Sequence, residues 1–220
     1  MSEQPWDKII NDVMLPALGS TAYMVIIATV LSSAIGLVLA VVLVVTAPGG
    51  LHPNNVVYRA LDIIVNILRS FPFIILAVAI IPLTRLIVGT SIGEEAALVP
   101  LVAVGAPFTA RLFEGSLKAV DHDLIVAASS FGASTLQVIG RVMIPEAIPA
   151  IILNVTLATI SILGLTAMAG AIGAGGLGAV AITYGYQNFN DAIMYGTVIV
   201  LVILVQLIQL IGNLIYRKLK

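Results

Sequence analysis

The sequence predicts an all-α integral membrane protein: five transmembrane helices with a short cytoplasmic helix between spans 3 and 4. Three observations carry that prediction. The 220 residues are 60% hydrophobic and 10% charged, against about 45–50% and 25% in soluble domains, so lipid is the natural solvent of this chain. The apolar residues gather into five runs, each near the ~20 residues that cross a bilayer. Between the third and fourth runs, residues 121–145 form the one long interval rich in polar and small side chains. A membrane protein that keeps such a segment in water presents it to a partner.

Taken in order, residues 5–14 read as a short amphipathic helix. Trp6, Ile9, Ile10, Val13 and Met14 fall on one face, which suits the membrane interface. The mixed charges around it (Glu3, Asp7, Lys8, Asp12) do not fit a cleavable secretory leader. The first span, 20–47, is uncharged and ends at Pro48-Gly49-Gly50. The second, 56–83, carries Arg59, Asp62, Asn66 and Arg69 along one face of its first half. The third, 96–117, ends with Arg111, Glu114 and Lys118 on a shared face. The fourth spans 148–169 and the fifth 192–216, closed by Arg217, Lys218 and Lys220.

Charge sets the orientation. Arg59, Arg69, Arg111, Lys118, Arg141, Arg217, Lys218 and Lys220 fall on one side, and Lys8 and Arg85 on the other. Basic residues mark the cytoplasm, so the N-terminus is expected outside, the C-terminus inside and 121–145 in the cytosol. Charges at membrane depth cost about 2.5–3.5 kcal/mol each at a helix centre, so both polar stripes must face protein or water. Pairing where the bundle meets the cytosol is the favoured reading, and a substrate or ion route the other.

The 121–145 interval spells out its own turns. Asp121 and Asp123 are good N-caps, a helix follows over about 124–131, and Gly132 suits the left-handed residue that ends it. Ser134 and Gln137 fit a capping box, opening a second helix to about residue 143. Pro145 and Glu146 favour the start of the next helix. The small side chains of Ala127, Ala128, Ser129 and Ser130 would let a second protein approach closely.

Chemistry of the chain's own is hard to find. There is no G-x-x-x-x-G-K-[ST] phosphate loop and no Ser-His-Asp set. His52 and His122 read as solvated loop residues. The absence of cysteine removes disulfides and thiolate metal sites, and the net charge of −1 excludes a nucleic-acid surface as the main theme. The residues therefore point to a chain that is not an enzyme by itself, with no catalytic metal or cofactor of its own.

The interval resembles the EAA loop of ABC-importer permeases, whose pattern is Glu-Ala-Ala, three residues, Gly, nine residues, Ile-x-Leu-Pro. Here Val126-Ala127-Ala128 precedes Gly132 by three residues, and nine more lead to Val142-Met143-Ile144-Pro145. Val126 stands where the pattern has Glu, so one polar anchor is absent; Asp123 or Arg141 would have to substitute. Asn66-Ile67-Leu68-Arg69-Ser70-Phe71-Pro72, Gly105-Ala106-Pro107-Phe108-Thr109-Ala110-Arg111 and the run from Ala167 to Gly178 are similar to the methionine-importer branch, and the resemblance covers nearly the whole chain from about residue 20.

The resemblance implies a single permease domain over 1–220 in the bacterial inner membrane. It implies a homodimer, two cytoplasmic ABC ATPases carrying ATP and Mg, and an extracytoplasmic substrate-binding lipoprotein. The transported substrate would be methionine, D and/or L. Residues 121–145 become the coupling segment, with Asp123, Ala127, Ala128, Gly132, Arg141 and Pro145 as the contacts to the ATPase. On the fourth span, Asn154, Ala158, Ser161, Leu165 and Met168 share one small, weakly polar face. That face is either the lining of the route, with the flexible Met168 thioether as a gate, or a packing stripe against another helix. Other readings are a permease for another small amino acid, an ion-coupled carrier using Asp62 or Glu114, and a passive channel.

Overall fold

The computed structural model describes residues 9–219; the part of the expected interfacial helix that holds Trp6 lies outside them. Among the described residues the chain is helical, without strands. α1 covers Ile9–Thr46, with a wide π-type turn over Ile9–Met14. α2 (Asn55–Ser70), α3 (Phe73–Ala79) and α4 (Ile81–Val88) follow, then α5 (Glu94–Lys118) and α6 (His122–Ser130). α7 runs over Thr135–Gly170, α8 (Gly176–Ala179) continues into a π-type turn over Val180–Gln187, and α9 is Asp191–Leu219.

Four helices, α1, α5, α7 and α9, are long and apolar enough to cross a membrane, and α2 with α3 make a fifth candidate as one bent pair. The stretch expected as a single second span, 56–83, is therefore not one rod. Its axis turns by 104° between α2 and α3. Pro72 is the physical reason: it has no amide to give back into the helix and forces its predecessor out of helical geometry. Phe71 sits at φ −76°, ψ 132° and Pro72 at φ −60°, ψ 131°, both extended.

Small residues set how the long helices meet. Lipid tails give no hydrophobic drive between helices, so close approach and hydrogen bonds must hold them. α1 and α5 form the largest contact. Thr109 Oγ1 donates to the Ser32 carbonyl at 2.7 Å. A Cβ on Gly36 would stand 2.1 Å from Thr109 Oγ1, and one on Gly105 2.3 Å from Ser32 Oγ. Two glycines thus each make room for a hydroxyl on the facing helix. α9 meets α7 by the same device, Gly212 against Thr156.

The core follows these contacts in three groups. Met24, Phe73, Leu101, Ile162 and Ala169 fill the middle. Phe113, Leu117, Val138 and Met143 pack at the Lys118 end, and Ile9, Leu177, Val180 and Ile193 at the opposite end. The glycine run there is a tight turn. Gly173, Gly175 and Gly176 have φ of 94°, 79° and 73°, where a Cβ is strained. The turn returns α8 onto α7, and the Leu177 amide donates to Thr21 Oγ1 of α1 at 2.8 Å.

Candidate functional site

The corner between α5 and α7 is built from local hydrogen-bond chemistry. Asp121 Oδ1 accepts the Asp123 amide at 2.9 Å and opens α6. The helix stops as expected: Gly132 is left-handed at φ 83°, and its amide donates to the Ser129 carbonyl at 3.0 Å. Ser134 and Gln137 form the expected capping box. The Ser134 amide donates to Gln137 Oε1 at 2.8 Å and the Gln137 amide to Ser134 Oγ at 3.4 Å. The second helix does not end near residue 143. It widens into a π-type turn over Ile139–Met143 and runs on into the long helix. A local change of hydrogen-bond register is one way a helix accommodates a proline, here Pro145, so the corner and the long helix are one continuous element.

Asp123, Ala127, Gly132, Arg141 and Pro145 are all exposed, while Ala128 is half-buried and packs beneath α6 against the core. The largest exposed apolar surfaces of the corner are two residues that sequence reasoning passed over, Phe131 at 92% and Leu136 at 82%. Their signal was present: each flanks a position whose backbone is fixed by Gly132 or by the capping box. His52 is more than a solvated loop residue. Its Nε2 lies 2.6 Å from Thr135 Oγ1, tying the loop after α1 to the start of α7. Between that loop and α6 lies an open cleft of about 800 Å³, lined by Pro48, Leu51, Lys118, His122 and Ile125 among others.

The polar stripes of α2 and α5 come together as a ladder. The Arg111 guanidinium pairs with the Asp62 carboxylate and donates to Glu114 Oε2 at 2.7 Å. Lys118 Nζ reaches Glu114 Oε1 at 2.7 Å and stands 5.8 Å from the centre of the Tyr58 ring. Each of the two carboxylates is held by a cation. The three ion pairs among the described residues leave Arg69 out.

The face of α7 divides in two. Asn154 Nδ2 donates to the Leu112 carbonyl at 3.1 Å and to Ser116 Oγ at 2.7 Å, and Ala158 is fully buried. This half of the stripe locks α7 to α5. Ser161 and Leu165 instead line a cavity of about 240 Å³ with Arg69, Val104, Gly105, Phe108 and Ile162, and Met168, 42% exposed, lies beyond it. Among the described residues, no group of three His, Asp or Glu side chains is placed to hold a metal ion.

A helical bundle with four or five helices long and apolar enough to cross a membrane, and one exposed corner carried on a long helix, fits a membrane-embedded transport subunit. The chain belongs to the family of binding-protein-dependent transport system inner membrane components, which matches residues 32–220. It is similar to the probable D-methionine transport system permease protein MetI of Vibrio cholerae, 47% identical over 97% of this chain and 95% of that protein. Similarity to the methionine import system permease protein MetP of Bacillus subtilis is 44% identity over 79% of this chain and 78% of that one. The structure is similar to that of a chain in the MetNI methionine ABC transporter in an inward-facing conformation, with a TM-score of 0.95, 42% identity and full coverage of both chains. An amino acid ABC transporter shares the fold at a TM-score of 0.75 and 17% identity, over 97% of this chain and 95% of that one.

Proposed function

We propose that this chain is the transmembrane subunit of an ATP-driven importer that carries methionine, D and/or L, across the bacterial inner membrane. The observation that carries the reading is the corner at Gly132: a left-handed glycine and a capping box set the short helix α6 against the start of α7, within a chain alike over its length to methionine permeases. In this reading α6 is the coupling helix. Asp123, Ala127, Ala128, Gly132, Arg141 and Pro145 form the surface that meets a cytoplasmic ATPase, with Phe131 and Leu136 as its apolar anchors. ATP and Mg belong to that partner, and hydrolysis is performed there.

The remaining architecture follows from the same reading. The whole of 1–220 is one permease domain with five spans, the bent α2–α3 pair counted as one. The N-terminus is outside and the C-terminus cytoplasmic, by the asymmetry of basic residues. Two copies of the chain enclose the route, since two-fold dimers are the commonest closed assembly, and a substrate-binding lipoprotein delivers methionine from outside. An ion-coupled carrier is disfavoured because Asp62 and Glu114, the carboxylates it would use, are already paired with cations.

The test is co-purification in detergent followed by reconstitution. The chain is expected to retain an ABC ATPase and, with the binding protein added, to drive methionine uptake that requires ATP. Uptake that survives without ATP and collapses with the proton gradient overturns the reading. Ser161, Leu165 and Met168 line the route, with Met168 as its gate, while Asn154 and Ala158 hold the same helix in place. Met168→Ala is expected to raise methionine leak without ATP by roughly tenfold, the effect of about 1.4 kcal/mol off a barrier. Unchanged leak and unchanged turnover in proteoliposomes reduce Met168 to a packing residue.

A further inference from the structure

Arg59 and Arg69 are the cations of the two polar stripes outside the ion pairs among the described residues. Arg111 and Lys118 are paired with Asp62 and Glu114, and Arg69 has no share in those pairs. It closes α2 two residues before the break at Phe71–Pro72 and lines the 240 Å³ cavity together with Phe108, Ser161, Ile162 and Leu165.

The depth of that cavity is set by helix geometry. At 1.5 Å per residue, Gly105 lies about 17 Å from Glu94 along α5, and Ser161 about 14 Å from Gly170 along α7. Both levels lie inside helices long and apolar enough to cross a membrane. A charged side chain at that level faces protein or water and marks a substrate or ion path. The cavity is somewhat smaller than the roughly 300–1,000 Å³ of sites for drug-sized ligands, the scale of a single amino acid. Its lining is one guanidinium, one hydroxyl and apolar side chains. A planar guanidinium matches a carboxylate with two parallel hydrogen bonds, and Phe108, Ile162 and Leu165 suit an unbranched apolar side chain.

We propose that this cavity is a transit subsite for a free α-amino acid, in which Arg69 receives the α-carboxylate, Ser161 offers a hydroxyl beside it, and Phe108, Ile162 and Leu165 receive the side chain. The proposal rests on the importer reading above and adds to it a site of recognition inside the membrane subunit.

The chain contains no cysteine, so Ser161→Cys places a unique thiol in the subsite. In the assembled importer, reconstituted with its ATPase and without nucleotide, L-methionine at ten times its dissociation constant is expected to slow maleimide alkylation of that thiol about tenfold, following 1 + [L]/Kd. Methioninamide, which lacks the carboxylate, is expected to give no such protection. Adding Arg69→Gln should abolish the methionine effect, and Arg69→Lys should retain part of it. Equal protection by methionine and methioninamide, or protection that survives Arg69→Gln, overturns the assignment. Should Arg69→Gln fail to assemble, the comparison of the two ligands in the Arg69 background still decides.

Alkylation that is slowed by anionic lipid and indifferent to methionine assigns the guanidinium to a lipid phosphate, and this too overturns the subsite. Methionine uptake by the parent importer separates the two levels. Uptake without protection removes the subsite alone, and absence of ATP-driven methionine uptake removes the importer reading with it.

Discussion

Gly132→Pro is expected to abolish ATP-driven uptake and to release the ATPase from the purified complex, while the long helices still insert. Gly132 sits at φ 83°, and proline is locked near −65°. Its amide also donates to the Ser129 carbonyl at 3.0 Å, a bond proline cannot make. The corner must therefore refold, moving Phe131 and Leu136 away from their places beside it. Loss of even about 1.4 kcal/mol of docking free energy lowers partner affinity tenfold, and two displaced apolar anchors exceed that. Gly132→Ala is the graded control: a left-handed alanine costs about 1–2 kcal/mol, so affinity for the ATPase should fall less than with proline. Co-purification and vesicle uptake measure both. Normal values with proline would remove residues 121–145 from the coupling role.

Glu114→Gln is expected to cause the largest loss of stability among substitutions that leave the backbone alone. The carboxylate side chain is only 6% exposed and is shared by Arg111 and Lys118. Removing its charge leaves the guanidinium, itself 17% exposed, with Asp62 alone. Breaking a buried pair from one side costs about 3–5 kcal/mol. Lys118 is 46% exposed, and its replacement by methionine should cost about 1 kcal/mol or less, as exposed pairs do. Thermal unfolding of the two variants, followed by size exclusion in detergent, should separate them clearly, with Glu114→Gln far the weaker. Equal midpoints would mean that water reaches the ladder freely.

What could be read from the sequence was what is decided locally. Gly132, Asp121 and the Ser134–Gln137 box act within three or four residues, and each appears in the structure as the chain spells it. The long apolar runs of α1, α5, α7 and α9 were equally legible, because composition alone separates lipid from water. Pro72 carried a signal that was passed over: the hydrophobic run continues through it, and hydropathy masked the break. Pairings across the fold were out of reach. Asp62 and Arg111 lie 49 residues apart, and nothing in either stripe says which neighbour it will meet. For the same reason the stripe from Asn154 to Met168 reads as one face, although Asn154 bonds to α5 and Ser161 opens on a cavity. Helical period gives direction from an axis and does not name what stands there.

The continuity of α7 has a mechanical consequence. Its 36 residues make a rod of about 54 Å, with the Gly132 corner at one end and Met168 near the other. The bonds from Asn154 to Leu112 and Ser116 supply a fulcrum, about 29 Å from Thr135 and about 21 Å from Met168. In the importer reading, a sideways push of a few ångströms at the corner would swing the far arm of a rigid helix the opposite way by roughly seven-tenths as much. In that reading, one continuous lever would join the two ends of the chain without a chemical relay.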